Sequence, residues 1–534
     1  MRIPLARPST GLAWVLALVT LLVSALPASA SAPGGSRTSP VVTTAQGSLH
    51  GQTKGQAQEF LGIPYAAPPV GDLRFRPPQQ PERWAGLREA TRQAPACLQF
   101  SPFGLRDPQA VSEDCLYLDV YHPRTAPAGA KLPVVFWMHG GGYSQGTGTQ
   151  FGGRTMAETT NSVVVSINYR LGQLGYLTLP DLSKDNALRS GSWGLMDQIA
   201  ALKWTRENIA AFGGNPGNIT ISGQSAGSGS VCAMLASPKA AGLFTRAILQ
   251  SGPCTLLQAP DRARAEREGR AFAAQAGCSD SATIAACLRA ARGPDLMNAA
   301  RTLPTSGPAF GDRLLPTQPS QSIGSGNWNK VPVLIGSTRA EGRTFVALTQ
   351  PNLTAQQYTD QITSNYGPAS AQVLERYPLS NYPSPYLALS AVLTDSTFAC
   401  HTYWSAQTFS RQVPTYAYEF DDPNSPTLYG AQVPGLDESN AHSAELAYLH
   451  DFTMGDRLLT PVQVKLANRM KRYWAAFARL GTPQVPGQTP WFATAGQHTV
   501  LTLNPEADTL STRFAADHQC GFWKGLPSPL TQSS

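Results

Sequence analysis

The chain has 534 residues, 42% of them hydrophobic and 14% charged, which supplies a large buried core and excludes a disordered polyelectrolyte. Its formal charge of +7 is mild for this length, and the basic residues are scattered, which excludes a nucleic-acid groove. The eight cysteines and eight histidines show no Cys-x-x-Cys or His-x-x-x-His spacing, so no metal site or other cofactor is expected.

In chain order, Arg2 and Arg7 precede an apolar run from Gly11 to Pro27, and Ala28-Ser29-Ala30 follows as a small-residue cleavage pattern. Residues 1–30 therefore read as a secretory signal peptide and 31–534 as a single large domain. The run is short for a transmembrane anchor, and no later stretch is apolar enough to span a bilayer. A secreted chain with no stable membrane anchor is expected, and export makes its cysteines candidates for disulfides. Spacing alone does not choose the pairs; Cys232 and Cys254, in apolar surroundings, fit free thiols as well as a bond.

Short β-branched runs then alternate with helical patterns. Segments 131–140, 162–170, 218–223, 246–251, 331–336 and 414–420 read as strands apolar on both faces, and 193–212 and 461–479 as amphipathic helices. This alternation predicts an α/β fold, a large mostly parallel sheet with helices on both faces. The segment from about Asp261 to Gly326 reads as a helical, loop-rich insertion over one end of the sheet. In such sheets, ligands bind outside the carboxyl ends of the strands.

At one of those ends stands Gly223-Gln224-Ser225-Ala226-Gly227, a G-x-S-x-G pattern between a strand and a helix. A bare match means little, because Gly and Ser are common in loops. In this context it predicts a nucleophile elbow, where glycines give clearance and Ser225 holds its hydroxyl out. A serine needs a base, and the base an orienting acid, here in the chain order Ser, acid, His. His401 and His518 lie beside cysteines and read as structural, and His498 opens a late strand. His442, in a polar loop, is preferred over its rival His450. Glu341 closely follows a strand ending near Gly336. Glu375 and Asp395 lack a preceding strand and read as solvated helix charges. His139-Gly140-Gly141-Gly142 follows another strand and fits an oxyanion-binding turn, its amides acting with that of Ala226.

With these motifs the sequence resembles the type-B carboxylesterases, the α/β-hydrolases that include para-nitrobenzyl esterases, animal carboxylesterases and cholinesterases. The resemblance runs from about Val41 to Trp523, through Phe60-LGIPYAAPPVGDLRF-Arg76, Ser112-EDCLYLDV-Tyr121, Phe212-GGNPGNITISGQSAG-Ser228, Ala340-EGRTF and Ala441-HSAEL. It implies an α/β-hydrolase fold, Ser225 as nucleophile, Glu341 as acid, His442 as base, and an oxyanion hole from Gly141, Gly142 and Ala226. It further implies disulfides Cys97–Cys115, Cys278–Cys287 and Cys400–Cys520, and scaffold ion pairs Arg74–Glu113 and Arg170–Asp197. A small-molecule ester is the expected partner, hydrolysed through an acyl-enzyme, with activity falling in acid as the base protonates.

Departures narrow the substrate. Cholinesterases carry Glu where Gln224 stands, and a Trp where this chain reads Phe103-Gly-Leu-Arg-Asp107, so a quaternary ammonium has little to bind. The segment Arg301–Phe310 offers one aromatic, suggesting a roomy acyl pocket. A lipase would want a longer lid than Leu98–Asp114, so esterase is preferred over lipase. A non-catalytic neuroligin-like role is disfavoured because the serine, acid, base and glycines are all retained.

Overall fold

The computed structural model describes residues 40–526 apart from 101–110, 128, 185, 256–258, 304–306, 427–435, 452–457 and 496–497. The signal-peptide reading, most of the candidate lid and part of the acyl-pocket segment lie outside the described residues. From Ser39 onward the chain clusters as one unit.

Its centre is an eleven-stranded sheet. The strands are β1 (Gln52–Lys54), β2 (Ala57–Pro64), β3 (Tyr117–Pro123), β4 (Leu132–Met138), β5 (Val163–Ile167), β6 (Gly214–Gln224), β7 (Arg246–Gln250), β8 (Val333–Thr338), β9 (Thr415–Phe420), β10 (Val500–Leu503) and β11 (Thr509–Ser511). In space they run β11-β10-β9-β8-β7-β6-β4-β5-β3-β2-β1. Neighbours from β10 to β5 are parallel, and the strands beyond, at both edges, are antiparallel. The six apolar runs legible in the sequence are the central parallel strands.

The period-two geometry of β4 explains why both of its faces are apolar. Val134, Phe136 and Met138 join a core with Leu195, Ile199 and Leu202 of helix Trp193–Asn208 and Val231 and Leu235 of helix Ala226–Ala236. Val135 points the other way, into a core with Leu466, Met470 and Phe477 of helix Pro461–Leu480. Helices thus cover both faces, as expected.

The expected insertion, between β7 and β8, forms helices Arg262–Gln275, Ile284–Ala290, Gly293–Ala300 and Pro319–Ser325. Arg74 holds it: its guanidinium donates to the carbonyls of Leu288, Arg289 and Ala291 and pairs with Glu113 through two bonds of 2.6 and 2.7 Å. Arg170 makes a second two-bond pair with the buried Asp197. A further helical block, from Gly342 to Ser410 between β8 and β9, carries its own apolar cluster and includes a π-helical turn, Thr394–Ala399.

Four disulfides are present, Cys97–Cys115, Cys232–Cys254, Cys278–Cys287 and Cys400–Cys520. The pair left open by the sequence is bonded because Cys232, on the helix after β6, comes within 5.5 Å (Cα to Cα) of Cys254, just past the end of β7.

Candidate active site

Strand β4 leads to β5 on one side, whereas β6 leads to β7 on the other, so the strand order reverses between the parallel neighbours β4 and β6. A crevice at such a switch point is where open α/β sheets bind ligands. Register aligns the carboxyl ends there: Gly223 pairs with Met138, Gln224 with Gln250, and Gln250 with Gly336. The glycine turn, Ser225 and the turn carrying Glu341 therefore leave the sheet at one edge.

Ser225 sits between β6 and helix Ala226–Ala236 with φ 56° and ψ −123°, a conformation costly for a side-chain-bearing residue. Its amide donates to the Gln250 carbonyl at 2.8 Å, which helps hold the strained residue in place. A Cβ on Gly223 would run into the Gly227 backbone, one on Gly227 into the carbonyl of Met138, and one on Gly252 would come within 2.5 Å of the Ser225 carbonyl. The glycines around Ser225 are thus clearances for three backbones packed at van der Waals limits.

The glycine turn after β4 lies against this elbow, since a Cβ on Gly140 would stand 3.0 Å from the Ser225 Cβ. Gly141 and Gly142 take φ of 106° and 61°, conformations that favour glycine. Among the described residues, the amides of Gly141, Gly142 and Ala226 are not spent on another protein acceptor. His139 has another role: buried and stacked on Tyr169 at 4.4 Å, its imidazole is pushed down to about 4 by burial and does not suit a proton acceptor working near neutrality.

Glu341 is fully buried. One carboxylate oxygen accepts the Thr338 amide at 2.8 Å, and the other lies 2.5 Å from His442 Nδ1. The loop carrying His442 is fastened to the turn carrying Glu341. Ala340 donates its amide to the Asn440 carbonyl, Arg343 bonds Ser439, and Thr344 Oγ1 donates to the His442 carbonyl. The imidazole is buried beside Phe345 and Phe398, at ring distances of 5.0 and 5.1 Å. A carboxylate on Nδ1 fixes the tautomer with its proton there and leaves a lone pair on Nε2.

That lone pair faces Gln224, whose side-chain nitrogen lies 3.1 Å from His442 Nε2 and 2.9 Å from Ser443 Oγ. The structure therefore brings Glu341 and His442 together and sets the imidazole against the residue next to Ser225. Among the described residues the Ser225 hydroxyl makes no hydrogen bond to His442 or to another protein group. Such contacts are often long before substrate binds.

The rival histidines are otherwise engaged. His450 packs 4.1 Å from Trp137, and burial pushes it down to about 4. His401 bonds Thr255, and burial again lowers it to about 4. His518 is clamped between Asp395 and Glu419, and His498 is exposed. Glu375 is exposed as expected, but Asp395 corrects its reading: it is buried, accepting from His518 and Tyr377, because chain 123 residues away supplies its partner.

Sequence reasoning also missed Glu445. It is fully buried three residues after His442 and accepts from Gln250 at 3.2 Å. Burial, with the nearby Glu341 charge, raises its carboxyl to about 7. Its place inside the Ala441-HSAEL motif was the available signal. Among the described residues no group of side chains could hold a metal ion.

The carboxylesterase family model matches residues 38–523. The cocaine esterase of Homo sapiens is 31% identical over 92% of this chain and 93% of its own length. The para-nitrobenzyl esterase of Bacillus subtilis is 33% identical over 84% of this chain and 91% of its own. A solved para-nitrobenzyl esterase (PNB esterase) superposes with a TM-score of 0.77 at 31% identity, over 90% of this chain and 99% of its own, and has the same α/β-hydrolase fold.

Proposed function

The chain belongs to the carboxylesterase family, and from that premise we propose that it hydrolyses carboxylic esters with Ser225, His442 and Glu341 through an acyl-enzyme. The observation that carries this reading is the 2.5 Å bond from His442 Nδ1 to the buried Glu341, with Nε2 turned toward the elbow that holds Ser225. His442 takes the Ser225 proton as the hydroxyl attacks the ester carbonyl, then gives it to the departing alcohol. Glu341 keeps the imidazole in the required tautomer and stabilises its cation. The tetrahedral oxyanion is met by the amides of Gly141, Gly142 and Ala226, each such donor being worth about a hundredfold to a thousandfold in rate. Water repeats the cycle on the ester formed at Ser225.

We further propose that the chain is exported. Four disulfides suit an oxidising compartment, and among the described residues no helix is long and apolar enough to cross a membrane.

A panel of p-nitrophenyl esters from acetate to palmitate tests the function, using the wild type and Ser225→Ala. The reading requires p-nitrophenol release by the wild type, with a burst where deacylation is slow, and its loss in a folded Ser225→Ala. Unchanged turnover in that variant refutes the nucleophile. Preference for short acyl chains without interfacial activation separates an esterase from a lipase.

A further inference from the structure

His518 lies far from Ser225 in sequence, yet its bonds lead to the base. It is buried, with Nδ1 2.6 Å from Asp395 Oδ1 and Nε2 2.7 Å from Glu419 Oε1. Each ring nitrogen faces a carboxylate oxygen, so both donate, and the ring is an imidazolium between two anions. Each anion is held again. Asp395 accepts from the Tyr377 hydroxyl at 2.8 Å, which accepts from Trp523 Nε1, and Glu419 accepts from Arg339 at 2.9 Å.

Both arms of this clamp end at the site. Arg339 lies two residues before Glu341. Asp395 belongs to the π-helical turn Thr394–Ala399, a rare geometry with wider i→i+5 bonding that recurs at functional sites. On the same turn, Thr394 Oγ1 accepts the Gly342 amide, next to Glu341, at 2.9 Å. Phe398 packs on the His442 ring at 5.1 Å and stacks on Phe345 at 5.4 Å, with the planes 13° apart. The Glu341 bond fixes one atom of the imidazole but lets the ring tilt about it; Phe345 and Phe398 limit that tilt.

We propose that His518 is a positioning residue for His442, acting through Asp395 to fix the π-helical turn whose Thr394 and Phe398 brace the acid and the base. The inference rests on the assignment of His442 and Glu341 under the proposed function. A stapled tail alone would affect stability; a brace also sets turnover.

The experiment measures p-nitrophenyl acetate kinetics, melting temperature and the downfield proton resonance of His442 Nδ1–H. The variants are His518→Gln, Phe398→Leu, their double mutant, and Val373→Ala as a control. Val373 is buried in the same apolar cluster as Cys400 and Trp523. Expected are a fall in kcat of about tenfold to a hundredfold for folded His518→Gln, with KM within about twofold, and a shifted or broadened resonance. Phe398→Leu should reproduce the loss, and the double mutant should lose little more, because both act on one element. Val373→Ala should lower the melting temperature and keep kcat. Wild-type kcat and resonance in folded His518→Gln, or losses that multiply in the double mutant, overturn the proposal. Should Ser225→Ala hydrolyse the ester like the wild type, the proposed function fails instead, and the resonance still reports whether His518 orders the imidazole.

Discussion

Replacing Gln224 by Glu should move the acid limb of the pH profile upward. The Gln224 amide nitrogen lies 3.1 Å from His442 Nε2, so a carboxylate there faces the imidazole at nearly contact distance. Two opposite charges about 4 Å apart gain about 4 kcal/mol at an effective dielectric of about 20, which by itself would raise the imidazolium by about three pH units. The shift should be smaller, because the new carboxyl would share its surroundings with Glu341 and Glu445. Burial and the Glu341 charge already push Glu445 up to about 7, and a third acid there would also be partly protonated near neutrality. About one unit is therefore expected. An anion favours the protonated imidazole, and catalysis needs the neutral one, so activity is lost from the acid side. The assay is kcat/KM for p-nitrophenyl acetate from pH 5 to 9, with Gln224→Met as an uncharged control whose limb should stay in place. A folded Gln224→Glu with an unmoved limb, or one moved toward acid, would refute the electrostatic argument.

Gly227→Ala should cost about 1–3 kcal/mol in urea unfolding, or abolish folding, even though Ala is the better helix former, because its Cβ overlaps the Met138 carbonyl. Loop length ranks two disulfides: opening Cys400–Cys520, which spans 120 residues, should cost about 5 kcal/mol, against about 2.6 kcal/mol for Cys278–Cys287, which spans 9. Serine double variants compared by chemical denaturation check that order. The His518 clamp gives stability a pH dependence. Burial alone would lower its imidazole, but the bonds and charges of Asp395 and Glu419 raise it to about 10. A raised folded value means the contribution is complete below about 6.5 and fades as pH climbs toward 10. The wild-type urea midpoint should fall over that window by the equivalent of a few kcal/mol, and His518→Gln should flatten the decline.

The central strands were legible because burial on both faces leaves an unbroken apolar run, a signal that lies within single short segments. The elbow and the glycine turn were legible for a related reason: backbone crowding admits only glycine, and that constraint is written at the crowded residue. Glu341 could be placed because it follows a strand end within a few residues. His442 was harder, since choosing it over His450 depends on burial against Trp137 and on the bond to Glu341, and neither is local in sequence.

The buried acids show where local reading stops and why the site is neutral at Gln224. A carboxylate reads as solvated unless a partner is known, and the partner of Asp395 lies 123 residues downstream. Among the described residues no cation is bonded to Glu445, and its second oxygen has no hydrogen-bond partner. Its burial is tolerable because the carboxyl can keep a proton. Glu341, in contrast, accepts two hydrogen bonds, one from the Thr338 amide and one from His442. Glu341 is thus held by two donors, whereas Glu445 is placed to keep its proton. An amide at position 224 fits that arrangement, because it can donate to a neutral Nε2 or turn to accept from a protonated one without adding a third charge.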